Sequence, residues 1–304
     1  MPKLLELSKL PRTGRRSAFV ILVGQTASKV ADIACNAKTV LTWLMGVLGA
    51  PAELTALLVP IRESGSMLPQ AFVSGLVKRV SRRKWVYVAG ALGQTGALVA
   101  MAAAAVFLEG VLAGLAVLLA LSLYSVARCF CSIASKDVIG KALPKGTRGR
   151  LTGLAAAISG IIGLIVALAG MFGVDHSASR ETYGWLILFG AAFYLIAAIG
   201  MSLAVEERSI GKVKDLVGDF KGRMRLVWSD PVLGKFIAVR SLLLGSALAS
   251  PYLVVLSQQQ GFDLGSLAAF VLAGGCASAL SSVLWGRLSD RSSRRAMGLG
   301  GLIT

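Results

Sequence analysis

Gln25, Lys29, Asp32 and Asn36 stand at i, i+4, i+7 and i+11 within an apolar run over residues 18–48, a spacing that lays them along one helical face. Arg62 and Glu63 interrupt a second apolar run (54–77), Arg128 follows a third (110–127), and Arg240 lies in a fourth (236–256). An ionised group in hydrocarbon costs about 2.5–3.5 kcal/mol on insertion scales, so such residues usually face a wet cavity or a partner. The chemistry open to them is proton and ion handling. On one reading Asp32 is a proton-coupling carboxylate, and Arg128 is its electrostatic counterpart or a binder of anionic substrate. On the other, Lys29 and Asp32 form a local ion pair that neutralises the helix for insertion, and Arg62 or Glu63 pairs across a bundle.

The elements that must position these residues follow from composition. The 304 residues are 55% hydrophobic and only 15% charged, with mean hydropathy +0.73. Soluble domains carry about 25% charged residues, so the chain belongs to the membrane class. A bilayer core about 30 Å thick needs roughly 20 apolar residues as a helix. Five runs free of charge meet that length, 85–108, 110–127, 151–174, 184–205 and 264–286. The runs 18–48, 54–77 and 236–256 qualify despite their charges, which predicts eight spans. A ninth apolar run begins at residue 296.

Lys and Arg collect on one side of this arrangement. With residues 1–17 as a cytoplasmic tail, 26 of the 32 Lys and Arg fall on the inside, and Arg180 alone falls outside among Glu53, Glu109, Asp175, Glu181 and Asp263. Short basic loops stay cytoplasmic, so the N-terminus is expected inside a bacterial inner membrane. The net charge of +17 punctuates hydrophobic spans instead of covering one soluble face, which excludes nucleic acid as partner and leaves anionic lipid heads. The basic N-terminal segment lacks a small-residue cleavage site and reads as a tail rather than a signal peptide.

Other chemistries are poorly supported. Cys35, Cys129, Cys131 and Cys276 all lie in or beside spans, which argues against a disulfide framework. His176 is the single histidine, so no metal site is expected. The loop 136–150 has Lys145 before Gly146 and lacks the order of a phosphate-binding loop. No catalytic set and no cofactor motif is evident, and an enzyme is not expected. Gly153, Gly160, Gly163, Gly170 and Gly173 predict a helix-packing seam along the fifth span. Pro60, Pro69 and Pro251 predict bending points.

Two loops repeat. Gly286-Arg287-Leu288-Ser289-Asp290-Arg291-Ser292-Ser293-Arg294-Arg295 is matched 211 residues earlier by Gly75-Leu76-Val77-Lys78-Arg79-Val80-Ser81-Arg82-Arg83-Lys84, with the glycine and the terminal basic pair aligned. This resembles the major facilitator superfamily of secondary transporters, whose loop signature is G-x-L-x-D-R-x-G-R-[RK]. Gly286, Leu288, Asp290, Arg291, Arg294 and Arg295 match it, and Ser293 replaces the second glycine. The first copy keeps Gly75, Arg83 and Lys84, with Arg79 at the acid position. Arg128 matches the family's helix-4 arginine motif at one residue, since Cys131 and Ser132 replace its amide and glycine.

The resemblance implies an all-α polytopic helix bundle. Residues 18–205 would form a six-helix N-terminal half, 206–231 a cytoplasmic central loop, and 232–304 helices 7, 8 and the start of 9. Against the family's twelve helices the chain reads as truncated. Three of the four charged spans fall where the family lines its cavity. The implied function is secondary active transport of a small solute by alternating access, coupled to protons. The alternative is an inactive remnant or a non-transporting membrane interaction protein.

Overall fold

The computed structural model describes residues 12–143, 148–173, 180–208, 222, 225–245 and 250–260, with 269–270, 272–274 and 277 beyond them. The elements along these residues are helices: α1 Arg12–Ala34, α2 Val40–Val47, α3 Ala52–Ala56, α4 Leu58–Met67, α5 Gln70–Arg79 and α6 Lys84–Phe107. There follow α7 Gly110–Ala142, α8 Arg148–Gly173, α9 Arg180–Ser202, α10 Pro231–Gly245 and α11 Ser250–Gln259. Among the described residues four helices are long and apolar enough to cross a membrane, Gly14–Ala34, Lys84–Phe107, Gly110–Ala142 and Arg180–Ser202.

The long helices sort their residues by size as well as polarity. On α7 the buried face runs through Ala113, Val117, Ala120, Leu121, Tyr124 and Ser125, while Leu112, Leu115, Leu119, Leu123 and Val126 stay exposed. Both sets recur every three or four residues, so one stripe faces protein and the other is fit only for hydrocarbon. α6 repeats the pattern, burying Gly90, Ala91, Gln94, Ala97, Leu98 and Met101 against α7 and α9. α1 packs on α9, α8 and α7, α4 and α5 pack on α7, and α11 meets α2 and α3.

Several boundaries differ from the sequence expectation. The run 18–48 is two helices separated at residues 35–39. Asn36 opens the break, because its Oδ1 accepts the Lys38 backbone N–H at 2.9 Å and its carbonyl accepts the N–H of Leu41 at 3.0 Å; a side chain that bonds its own backbone competes with the helix. The run 54–77 is three helices, with Pro69 as the N-cap of α5, where its missing N–H costs nothing. The run 236–256 is covered by α10 and α11. Arg128 does not end its span, for α7 continues to Ala142. At 1.5 Å per residue α7 is about 50 Å long and outruns the hydrocarbon core. α1 likewise begins at Arg12, inside the segment read as a tail, because helical bonding continues through polar residues once the helix reaches water.

The expected glycine seam on α8 is corrected in part. A Cβ added at Gly153 or Gly160 meets nothing within 4 Å, and only Gly163 is close-packed, 2.9 Å from Ile33 Cδ1. The side chains at 170 and 173 lie outside the described residues, as do the loop 287–295 and most of the run 264–286. Backbone contact through glycine occurs elsewhere. A Cβ on Gly200 of α9 would stand 3.0 Å from the Val20 carbonyl and 3.1 Å from the Gly24 nitrogen of α1.

Candidate functional site

Asp32 sits two residues before the end of α1. Its Oδ1 is the focus of four side chains from three other helices. Arg128 of α7 makes a close ion pair with it through Nη1, and Arg62 of α4 approaches through Nη2 at 3.4 Å. The hydroxyl of Tyr124 on α7 donates to it at 2.8 Å, and that of Tyr194 on α9 at 2.7 Å. Tyr124 and Arg128 are four residues apart on one helix and therefore share a face. The Arg128 Nη1 also reaches the Tyr124 hydroxyl at 3.4 Å, and the Arg62 guanidinium lies 6.0 Å from the centre of the Tyr124 ring. The two tyrosine rings meet edge to face at 5.9 Å.

Burial grades across this cluster. Both tyrosines are enclosed in the apolar core, whereas the side chains of Arg62, Asp32 and Arg128 keep 11%, 23% and 33% of their surface open. The charges are thus neither sealed nor solvated, a setting in which pairing is strong and exchange remains possible. Each phenol carries one proton. With the two hydroxyl oxygens 2.6 Å apart, three oxygen contacts share two protons, so no more than two of them are hydrogen bonds at once.

The structure brings Asp32, Arg62 and Arg128 together and leaves other predicted residues apart. Gln25 and Lys29 are half-buried and make no hydrogen bond or ion pair with Asp32, so the local Lys29–Asp32 pair is absent. Asn36 is engaged in the helix break. Glu63 is half-buried and forms no ion pair with Arg62; its carbonyl accepts the Ser66 hydroxyl. Arg240 lies on α10 with its side chain outside the described residues, where Gly286, Leu288, Asp290, Arg291, Arg294, Arg295 and His176 also fall. Tyr124 and Tyr194 were not predicted. Their only signal in the sequence is a tyrosine one turn before Arg128, and Tyr194 has none.

The first loop motif builds a second ionic cluster at the basic end of the bundle. Gly75 lies within α5. Arg83 pairs with Asp137 of α7 at 3.0 Å. The backbone N–H of Lys84 donates to Glu206 Oε2 at 2.8 Å, and its Nζ donates to the carbonyls of Ser202 and Ala204 at 2.7 and 2.9 Å. Lys141 of α7 holds the other Glu206 oxygen at 2.8 Å. Burial pushes the Glu206 carboxyl up, but the bonds from Lys141 and from the backbone of Lys84 and Arg83 outweigh it and hold the group below its ordinary value. Glu206 thereby ties α6, α7 and the end of α9 together.

No group of three or more His, Cys, Asp or Glu that could hold a metal occurs among the described residues. Cys35, Cys129 and Cys131 are free and buried.

The family model described as Major Facilitator Superfamily matches residues 30–304. In three dimensions the chain is similar to a crystal structure of a bacterial homolog to the human lysosomal transporter Spinster, in an inward-facing and unoccupied conformation, with a TM-score of 0.58 and 13% identity. The match covers 94% of this chain and 64% of that one, so the chain spans somewhat less than two thirds of its length. At that identity the likeness is one of fold. No curated protein matches the sequence.

Proposed function

The chain belongs to the Major Facilitator Superfamily, and from that premise we propose that it is a secondary active transporter of a small solute, working by alternating access and coupled to protons through Asp32. Residues 18–205 form its N-terminal half and 206–231 its central loop, and 232–304 belong to its second half. It sits in the cell membrane with its N-terminus and basic end towards the cytoplasm, since Arg83, Lys84, Lys136 and Lys141 gather at that end. Transport requires no bond-making chemistry and no cofactor.

A single observation carries this reading: two arginines and two tyrosines converge on one oxygen of a carboxylate at mid-bundle. A proton arriving on the Asp32 carboxyl cancels its charge and releases the two guanidiniums from their ion pairs. Loss of the proton restores them. Solute and proton are thus coupled through one electrostatic balance, and rocking of one half against the other exposes it to each side in turn.

The full chain in proteoliposomes with an internal pH dye tests the coupling. Solute gradients should drive pH changes that disappear in Asp32→Asn; pH changes that persist unaltered in that variant exclude the coupling role of Asp32.

A further inference from the structure

We infer that the transported solute is an anion, bearing a carboxylate or phosphate group that Arg62 and Arg128 hold between them; this deepens the transporter reading and rests on it for movement across the membrane. Arg62 and Arg128 both pair with Asp32, and both do so through Oδ1. Two guanidiniums against one carboxylate leave one positive charge at the centre of the bundle. The nearest further ionisable residues along the same helices are Lys29 and Glu63, each half-buried, and counted at full charge they cancel. Among the described residues the surplus remains.

A surplus charge at that depth is costly unless a partner neutralises it. Its donors are also free to take one. A guanidinium presents five N–H donors in a planar fork. Arg128 uses only Nη1 towards described residues, for Asp32 and Tyr124, and a third of its side-chain surface is open. Neither its Nε nor its Nη2 is enclosed without a partner, so both face accessible space. Arg62 likewise bonds only through Nη2. Planar forks of this kind match carboxylate and phosphate oxygens. A cationic solute would add to the surplus, and a neutral one would leave it standing. The tyrosine hydroxyls beside Asp32 hold the native carboxylate in place while the anion enters on the open side of Arg128.

The test uses the full chain in nanodiscs of zwitterionic phosphatidylcholine, with melting followed by tryptophan fluorescence. Four probes share one ring and differ in charge: phenyl phosphate, benzoate, benzyl alcohol and benzylammonium. At tenfold saturation an anion should raise the melting temperature by about 3 °C, while the alcohol and the ammonium leave it unchanged. The rise should vanish in Arg62→Gln and Arg128→Gln and return in part in the corresponding lysine variants, which keep the charge should a glutamine variant fail to fold. Stabilisation by benzylammonium or benzyl alcohol equal to that by the anions, no rise with either anion, or a rise unaltered in every arginine variant overturns the inference.

Repeating the melts in nanodiscs containing phosphatidate separates the two sources of the anion. An undiminished soluble-probe effect identifies a free solute, and its loss through prior occupancy identifies a lipid headgroup. Failure of the two readings is distinguishable. Anions that bind but never cross a proteoliposome membrane overturn transport and leave the anion site. Flux of a cation with no anion stabilisation leaves transport and overturns the site.

Discussion

Tyr124 and Tyr194, on different helices, bring their hydroxyl oxygens within 2.6 Å of each other over the same carboxylate oxygen of Asp32. Either hydroxyl alone can satisfy that oxygen, so the two substitute for one another. Tyr124→Phe and Tyr194→Phe should each cost about 0.5–1 kcal/mol, the scale of interhelical hydrogen bonds in membranes. The double variant should cost more than the sum, because it removes the last neutral donor. Thermal melts of the three proteins check this, and strict additivity would show that the hydroxyls act independently.

Glu206 should make stability depend on acid. Its carboxyl lies below the ordinary value in the fold because of Lys141 and two backbone N–H groups. In the unfolded chain it titrates near about 4.3. The contribution of this group is therefore complete above that value and fades as the pH falls through the lowered one. Glu206→Gln should cost about 1–3 kcal/mol at neutral pH. The gap in melting temperature between it and the wild type should stay constant over about pH 6–8 and close below about pH 4. A gap that widens in acid contradicts the assignment.

Two glycines of similar appearance in the sequence should behave differently. Gly200→Ala forces a Cβ against the α1 backbone at 3.0–3.2 Å, where neither side can yield without moving a helix, and should destabilise by about 1–3 kcal/mol. Gly160→Ala meets nothing within 4 Å and should be neutral or stabilise by up to about 1 kcal/mol through helix propensity. Melting temperatures of the two variants decide the matter; equal losses would mean that the close approach of α1 and α9 is not a constraint.

The orientation is open to chemical labelling. Cys35, Cys129 and Cys131 are buried, so a Cys276→Ser background should be silent to an impermeant maleimide. Glu109→Cys should then react in intact cells, and Lys136→Cys, at an exposed position on α7, only after permeabilisation. The opposite pattern would invert the proposed topology.

Much of this architecture is written in the chain because membranes penalise polarity so heavily. Asp32, Arg62 and Arg128 stand out in their runs for that reason, and the structure unites them. Tyrosine raises no such alarm, since its ring is at home in an apolar helix; only the approach of α9 to α1 gives Tyr194 its partner. The break at residues 35–39 was missed because Asn36 and Thr39 could equally belong to a polar stripe, and no proline or glycine marks it. Glycine content on α8 suggested a seam, but composition cannot say which neighbour a helix faces: of its described glycines Gly163 alone is close-packed, and the approach of two backbones falls at Gly200 of α9. Glu206 escaped notice because its partners, Lys84 and Lys141, are distant in sequence and meet only where the start of α6 and the end of α7 lie on the same level.

The interrupted first span has one more implication. Its longer piece, α1, is fastened to α8 and α9, while its shorter piece, α2, carries Leu41 and Leu44 into the same apolar cluster as Val254 of α11. The five unwound residues between them form a fulcrum, and Asp32 stands three positions from it. A tilt of α11 would therefore reach the charged triad through five residues of backbone, a short path from mechanical displacement in one portion of the molecule to ionic rearrangement in the other.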